Sequence, residues 1–136
     1  MSQVVVDTSV VYKWFVSLGE DAVDAATELL SAHLEGEVSL VAPASLPLEL
    51  ANGLRHSPVA EADVLEMVAS FDLAHIEMIE LSSKLLLDAA RLAYRHGVTV
   101  YDAVFLALAE ELGCPLATAD LKAFAGIEAG AEIRLM

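Results

Sequence analysis

The sequence predicts a three-layer α/β/α sandwich built around a short, mostly parallel β-sheet. Three apolar segments, at residues 3–6, 38–42 and 115–118, are too brief and too uniformly apolar to be surface helices, and therefore predict buried strands. Segments with helical periodicity separate them, and this alternation is typical of a parallel sheet covered by helices. A chain of 136 residues without a linker, repeat or low-complexity segment predicts one domain over residues 1–136.

The first half of the chain opens with the strand at residues 3–6, which leads into Asp7 and a helix beyond it. Apolar residues then recur at helical spacing until Gly36, which is typical of a helix ended by glycine. After the second strand, Ser57 and Pro58 separate two further helices. The helices are predicted at residues 21–35, 46–55 and 61–71, and the second strand at residues 38–42.

The second half continues the alternation of strands and helices. Two strongly periodic helices end at Gly97 and Gly113, and glycine is the residue most often found just past a helix C-terminus. Alternating polarity near the end of the chain indicates a strand at the edge of the sheet. The predicted strands lie at residues 76–79, 115–118 and 132–135, and the predicted helices at residues 82–96 and 101–112.

The chain is unusually apolar but contains no stretch that would span a membrane. Hydrophobic residues make up 57% of it, yet no uninterrupted apolar run approaches the ~20 residues that a membrane span needs. The surplus predicts interfaces with other protein chains. Cys114 is the only cysteine, which excludes an internal disulfide and a cysteine zinc site. The N-terminus lacks the pattern of a secretory signal, so a cytoplasmic location is expected.

The net charge of −14 argues against broad, nonspecific binding of nucleic acid, which depends on clustered Lys and Arg. An acidic surface often does no more than keep a protein soluble. An anionic substrate would need local help, such as a bound cation. Seven basic residues are available, namely Lys13, Arg55, Lys84, Arg91, Arg95, Lys122 and Arg134.

Four acidic residues occupy positions from which their side chains can converge. Asp7 and Asp120 follow predicted strands, and the ligands of parallel sheets collect outside the carboxyl ends of the strands. Asp102 lies in the first turn of a predicted helix, and Glu49 lies inside another. These acids are the candidate site residues.

Each of these acids alone has a structural explanation. Asp7 and Asp120 could be helix N-caps that accept backbone N–H bonds worth about 1 kcal/mol each. Thr99 and Asp102 could form a capping box, and Glu49 could be an ordinary solvated residue. The joint pattern is harder to explain in this way, because three of the acids fall at strand ends or helix starts that a parallel sheet can bring to one edge.

Carboxylates gathered at one edge would require a cation, because two charges 4 Å apart repel by about 4 kcal/mol at an effective dielectric constant near 20. Oxygen ligands without His or Cys suit Mg²⁺ or Mn²⁺, which keep waters that a substrate phosphate can displace. The histidines show no ligand spacing, which disfavours zinc, and we expect them at the surface or in turns. They are His33, His56, His75 and His96.

Four motifs carry the four acids in sequence, namely VVVDTSVVYKWF, LPLELANGLR, TVYDAVFLALAEELG and LATAD. Their order and context resemble those of the PIN-domain ribonucleases, and most nearly the VapC-type toxins of prokaryotic toxin–antitoxin pairs. The resemblance runs from residue 4 to about residue 124. It implies a PIN-like fold in which one or two Mg²⁺ or Mn²⁺ ions are held by Asp7, Glu49, Asp102 and Asp120.

The resemblance also implies an activity and partners. Bound ions would lower the pKa of a water and neutralise phosphate oxygens during attack on an RNA phosphodiester bond. The chain would then be a metal-dependent endoribonuclease and the toxin of a type II toxin–antitoxin system, with Glu49 either binding metal or orienting the water. The implied partners are an RNA substrate, a cognate antitoxin protein and a second copy of the chain in a homodimer.

Hydroxyl and amide side chains complete the site that the resemblance implies. The family tends to keep a hydroxyl near the metals, which implies Ser9 and Thr118. Asn52 matches the E-x-x-N pattern common among the toxins, and it lies on the same helix face as Glu49, one turn further on.

Basic and aromatic residues near the motifs could contact RNA. Lys13 could touch a phosphate, and Arg91 and Arg95, one turn apart, could form a basic ridge, although ordinary surface ion pairs explain all three. Trp14 could stack on a base, but its helical spacing beside neighbouring valines favours core packing.

Two other functions are compatible with part of the pattern. A catalytically silent binding module of the same fold would explain the acidic charge and the apolar surplus. A phosphoryl-transfer enzyme of the haloacid dehalogenase type also begins with a strand and an aspartate, but it expects a second aspartate at the position of Ser9. The chain has no glycine-rich phosphate loop, which argues against ATP or GTP hydrolysis.

Overall fold

The computed structural model describes residues 2–16 and 23–136. Within these ranges the strands are β1 (Ser2–Val6), β2 (Val38–Pro43), β3 (Glu77–Ile79), β4 (Leu116–Thr118) and β5 (Ile133–Leu135). The helices are α1 (Thr8–Phe15), α2 (Val23–Leu34), α3 (Leu46–Arg55), α4 (Glu61–Ser70), α5 (Ser83–His96), α6 (Val100–Leu112) and α7 (Leu121–Phe124). A 3₁₀ turn at Phe71–Ala74 follows α4. The predicted start of the helix at residues 21–35 lies partly outside the described residues.

The strands form one parallel sheet in the order β3-β2-β1-β4-β5. β1 lies at its centre, and the valines at residues 4–6 are buried. A parallel strand covered on both faces needs apolar side chains at successive positions, which explains why β1 is a continuous apolar run. The predicted α/β sandwich around a mostly parallel sheet is confirmed.

The helices cover the sheet and differ in how deeply they are buried. α6 packs on β1, β2 and β4, while α5 packs against α6. Every residue from 103 to 109 in α6 is buried, which explains its nearly uniform apolar sequence. α1 contacts β4, α2 and α3. None of the helices in the described ranges combines the length and the apolar run that crossing a membrane requires.

Trp14 belongs to the packing between α1 and α2. It is partly buried against the core, and its Nε1 donates a hydrogen bond to the Ala26 carbonyl at 2.8 Å. The indole therefore has an apolar environment for its ring and a partner for its N–H, as buried tryptophans usually do. These contacts support the core role that the sequence favoured.

His33 forms hydrogen bonds that link three segments of the chain. This linking role was not expected from the sequence, which predicted only a surface or turn position. Its Nδ1 accepts a hydrogen bond from the Leu40 N–H at 3.1 Å, so Nε2 carries the proton and donates to the Ala74 carbonyl at 2.7 Å. Leu40 precedes the part of β2 that pairs with β3. The imidazole therefore supplies a partner for an N–H that β3 does not reach, and it ties α2 to β2 and to the 3₁₀ turn.

Replacing His33 with Phe should lower the free energy of unfolding by about 2–3 kcal/mol, because the Leu40 N–H and the Ala74 carbonyl would lose their partner. In a domain of this size the loss corresponds to a fall in Tm of roughly 6–15 °C. Urea and thermal unfolding measure it. His56→Phe is the matched control at an exposed position and should change stability by less than about 0.5 kcal/mol. Equal effects of the two substitutions would contradict the linking role of His33.

Candidate functional site

The carboxyl ends of β1 and β4 lie side by side, which brings Asp7 next to the segment that carries Thr118 and Asp120. Val6 is in register with Ala117, and the Asp7 N–H donates a hydrogen bond to the Ala117 carbonyl at 2.9 Å. The chain therefore leaves the central strand at the edge of the sheet where ligands of parallel sheets collect.

Asp7 is buried, with 4% of its surface exposed. Its Oδ2 accepts hydrogen bonds from Ser9 Oγ at 2.6 Å and from Thr118 Oγ1 at 2.8 Å. Burial raises the pKa of the Asp7 carboxyl above its ordinary value; the two hydroxyl donors oppose the rise, and the charges of Asp102 and Asp120 add to it. The side chain makes no cap bond to α1, so the alternative in which Asp7 caps this helix is wrong.

The two hydroxyl groups on Asp7 are themselves fixed by the backbone. Ser9 Oγ accepts a hydrogen bond from the Ala119 N–H at 2.9 Å, and Thr118 Oγ1 accepts one from the Asp120 N–H at 3.1 Å. Because a hydroxyl has one proton and it is directed at Asp7 in both cases, Oδ2 of Asp7 is held in a defined position. The structure thus brings Ser9 and Thr118 to the acid.

Glu49 reaches the same edge from α3. Its side chain is half-buried, and its Oε2 accepts a hydrogen bond from Thr8 Oγ1 at 2.8 Å. Burial raises the pKa of Glu49 to about 7; the Thr8 hydroxyl opposes the rise, and the charges of Asp7 and Asp102 add to it. The alternative of an ordinary solvated residue is therefore wrong, because Glu49 is partly desolvated and coupled to the other acids.

Asp102 and Asp120 lie at the starts of α6 and α7. Thr99 Oγ1 accepts a hydrogen bond from the Asp102 N–H at 3.1 Å, and Asp120 Oδ1 accepts one from the Ala123 N–H at 3.1 Å. Burial raises the pKa of Asp102, while the Thr99 hydroxyl opposes this and the charge of Asp120 adds to it. The capping role is confirmed for Asp120, whose other carboxylate oxygen, Oδ2, is not used by the cap.

The four carboxylates lie close enough for their charges to interact, since the pKa values of Asp7, Glu49 and Asp102 all respond to neighbouring acids. Within residues 2–16 and 23–136, no three acidic, histidine or cysteine side chains are grouped tightly enough to hold a metal ion as they stand. The donors at this edge are carboxylate and hydroxyl oxygens, which fit Mg²⁺ or Mn²⁺. A divalent cation would also offset the repulsion among these acids.

A groove of about 320 Å³ opens beside Asp102 and Asp120. Lys122, in α7, lines it together with these acids, so the groove combines negative charge with one cationic side chain. The other lining residues are Gly97, Val98, Thr99 and Ala123.

The remaining predicted residues lie in different places. Asn52 is exposed on α3, and Lys13 is half-buried in the last turn of α1. Arg91 and Arg95 line a separate groove of about 330 Å³ between α5 and α6, where Arg91 lies 3.5 Å from Asp88. The pair with Asp88 is the surface ion pairing that the alternative explanation predicts for Arg91, and none of the four candidate acids lines this groove.

Two residues at the site were missed by the sequence analysis. Thr8 stands between Asp7 and Ser9 in the opening motif, and its pairing with Glu49 depends on the packing of α1 against α3. Lys122 follows Asp120 by two positions, and this nearness in sequence is the signal that could have identified it.

The chain is similar to several known proteins. The sequence profile of the PIN domain family matches residues 4–129. A relative from Pyrobaculum aerophilum named ribonuclease VapC3 is 55% identical over 38 residues, a match that spans only 28% of this chain and 29% of the relative.

Solved structures are similar over almost the whole chain. VapBC2 from Rickettsia felis, bound to a DNA fragment from its promoter, has a TM-score of 0.67 at 17% identity and covers 98% of both chains. VapC20 from Mycobacterium tuberculosis, described as a sarcin-ricin loop cleaving toxin, has a TM-score of 0.66 at 19% identity and covers 90% of both chains. At these identities the likeness establishes the fold.

Proposed function

Because this chain belongs to the PIN domain family, we propose that it is a divalent-metal-dependent endoribonuclease and the toxin of a toxin–antitoxin pair. The observation that carries the proposal is the buried Asp7, whose charge interacts with those of three other acids at the carboxyl edge of the sheet. The short match to a protein named ribonuclease VapC3 supports the same activity.

The proposed metal ligands are Asp7, Glu49, Asp102 and Asp120, which would hold Mg²⁺ or Mn²⁺. When bound, the ion supplies Lewis acidity that activates a water and offsets the charge on the phosphate oxygens. Ser9 and Thr118 fix one oxygen of Asp7, so that Oδ1 is the atom left for the ion.

Glu49 is suited to handle a proton in this reaction. Its pKa of about 7 lies near neutral pH, where a carboxylate can accept a proton from an attacking water with useful efficiency. Thr8 occupies Oε2, which leaves Oε1 for the ion or for that water.

We assign a substrate contact to Lys122, because it lines the groove that Asp102 and Asp120 share. If its ammonium contacts one RNA phosphate, Lys122→Gln should reduce the slope of log KM against log salt by about 0.7, the value for one contact on a single strand. Cleavage kinetics at fixed Mn²⁺ and several KCl concentrations measure the slope. Lys84→Gln is the matched control, since Lys84 lies in the groove between α5 and α6, and an equal change in both variants would contradict the assignment.

The proposed partners are an antitoxin protein and a second copy of the chain, and both would bind in the cytoplasm. Solved structures with this fold include the VapBC2 complex from Rickettsia felis. Two apolar grooves on this chain offer surface for such contacts, one of about 490 Å³ beside α4 and one of about 320 Å³ beside the start of α6. Their apolar lining residues include Val59, Val64, Leu65 and Val68 in the first, and Leu81, Leu86, Val100 and Tyr101 in the second.

Induced expression of the wild-type protein beside Asp102→Asn tests the proposed function. Growth arrest with the wild type alone, accompanied by defined new ends in cellular RNA, is the expected result. The purified protein should cut single-stranded RNA with Mn²⁺ and stop when EDTA is added. Uptake of no Mn²⁺ and cleavage of no RNA, combined with tight binding to a protein partner, would instead favour the binding module.

A further inference from the structure

Thr8 makes a specific contact that joins two helices at the site. It is the first residue of α1, and its Oγ1 donates a hydrogen bond to Oε2 of Glu49 in α3, which lies 41 positions further along the chain, at a distance of 2.8 Å. A hydroxyl bound to a carboxylate is a charge-assisted hydrogen bond when the acid is ionised, and such bonds are stronger than neutral ones. The bond therefore fixes the side chain of Glu49 relative to α1.

The polar side chains at the start of α1 form hydrogen bonds within the site and not with the free N–H groups of the helix. Asp7, Thr8 and Ser9 are all residue types that commonly satisfy free N–H groups at a helix N-terminus. Here Asp7 makes no cap bond, Ser9 donates to Asp7, and Thr8 donates to Glu49. A local structural role for the Thr8 hydroxyl does not explain this choice of partner.

The position of the Thr8 bond determines which atom of Glu49 is available. Oε2 is occupied, whereas Oε1 accepts no hydrogen bond from the described residues 2–16 and 23–136. The carboxylate of Asp7 is held in a similar way, because Ser9 Oγ and Thr118 Oγ1 both donate hydrogen bonds to its Oδ2. Among the described residues, each of these two acids thus has one carboxylate oxygen bound by hydroxyl donors and one carboxylate oxygen without such a donor.

We propose that Thr8 is a positioning residue for Glu49: its hydroxyl holds Oε2, so that Oε1 is presented to a divalent cation at the carboxyl edge of the sheet. The inference rests on the proposed function, because it concerns the same site. It assigns to α1 the orientation of two acids, Asp7 through Ser9 and Glu49 through Thr8.

The test compares Thr8→Val, which keeps the shape but removes the hydroxyl, with Thr8→Ser, which keeps the hydroxyl. Mn²⁺ affinity by electron paramagnetic resonance, and kcat and KM for single-stranded RNA, are measured for each. Thr8→Val should weaken Mn²⁺ binding and lower kcat by about 10–100-fold, as removal of a group that orients a ligand usually does. Its KM should stay within about twofold of the wild-type value, and Thr8→Ser should retain most of both properties.

A double-mutant comparison separates positioning from a general effect on the fold. In a Glu49→Gln background, Thr8→Val should cause little further loss, because the two residues act as one unit. Thermal melting in EDTA checks that each variant is folded. If the Val variant does not fold, Thr8→Ala and Thr8→Ser provide the same comparison, since they differ only in the hydroxyl.

Three results would overturn the inference. Wild-type Mn²⁺ affinity in Thr8→Val, failure of Thr8→Ser to retain it, or an equal loss in the Glu49→Gln background would each show that Thr8 does not act through Glu49. In these cases the wild type would still bind Mn²⁺ and cut RNA. A wild type that binds no Mn²⁺ would instead overturn the proposed function, and the inference with it.

Discussion

Asp7→Asn should reduce RNA cleavage by at least about 10³-fold, which corresponds to roughly 4 kcal/mol of lost transition-state stabilisation. The same substitution should raise the Tm of the metal-free protein at pH 7. Burial raises the pKa of Asp7, so the ionised form is the one that the folded state disfavours. Asparagine keeps the shape and an acceptor for Ser9 and Thr118 but removes the buried charge.

The sign of the stability effect follows from the direction of the pKa shift. A carboxyl whose pKa is raised on folding contributes stability below its ordinary pKa, and that contribution is lost as pH rises through the folded value. The gain in Tm from Asp7→Asn should therefore be absent at strongly acidic pH and grow towards pH 7. Each kcal/mol corresponds to roughly 3–5 °C in a domain of this size.

Activity assays and thermal melts in EDTA measure the two effects together. Asp72→Asn is the matched control, because Asp72 is exposed in the 3₁₀ turn and should leave both unchanged. Retained cleavage by Asp7→Asn would contradict the proposed role of Asp7 as a metal ligand. A lower Tm at pH 7 would contradict the claim that the ionised form of Asp7 destabilises the folded state.

Mn²⁺ affinity should rise steeply with pH up to about pH 7 and then level off. Burial raises the pKa of Glu49 to about 7, so below that pH a proton must leave before the carboxylate can act as the proposed metal ligand. For one proton with this pKa, the apparent affinity should increase by roughly 50-fold between pH 5 and pH 7 and by less than about twofold beyond. Isothermal titration with Mn²⁺ across this range measures the profile.

Glu49→Gln provides the control for the pH profile. The variant should bind Mn²⁺ more weakly and lose the part of the pH dependence centred near pH 7, because the titrating group is gone. In the metal-free protein the same linkage has a second consequence: the stability contribution of Glu49 is present below its ordinary pKa and is lost as pH rises through about 7. A flat affinity between pH 5 and pH 7 in the wild type would contradict this account.

The position of the acids explains how a protein of high negative charge could bind RNA, which is also negatively charged. A chain with a net charge of −14 has no broad attraction for RNA. The acids at the carboxyl edge would instead concentrate cations at one point and reverse the local field there. Lys122 beside Asp102 and Asp120 adds a cation at the same edge, whereas the arginines of α5 lie in another groove.

The order of the elements and the neighbourhood of two acids could be predicted from the sequence. Periodicity is a local property, so α5 and α6 could be located within a residue or two from their apolar spacing and their terminal glycines. Asp7 and Asp120 follow apolar strands, and parallel strands end at the same edge, so their neighbourhood also followed from the sequence. The motif order around the four acids indicated the PIN family, which the match over residues 4–129 confirms.

The hydrogen bonds and burial of these side chains depend on contacts between segments that are distant in the sequence. Asp7 could cap α1 or face the sheet edge, and the hydroxyls of Ser9 and Thr118, 109 positions apart, decide for the edge. Glu49 could be solvated, but packing of α1 against α3 buries it and gives it Thr8 as a donor. Desolvation and long-range hydrogen bonds depend on which distant segments pack together, and the spacing of residues within one segment does not indicate this.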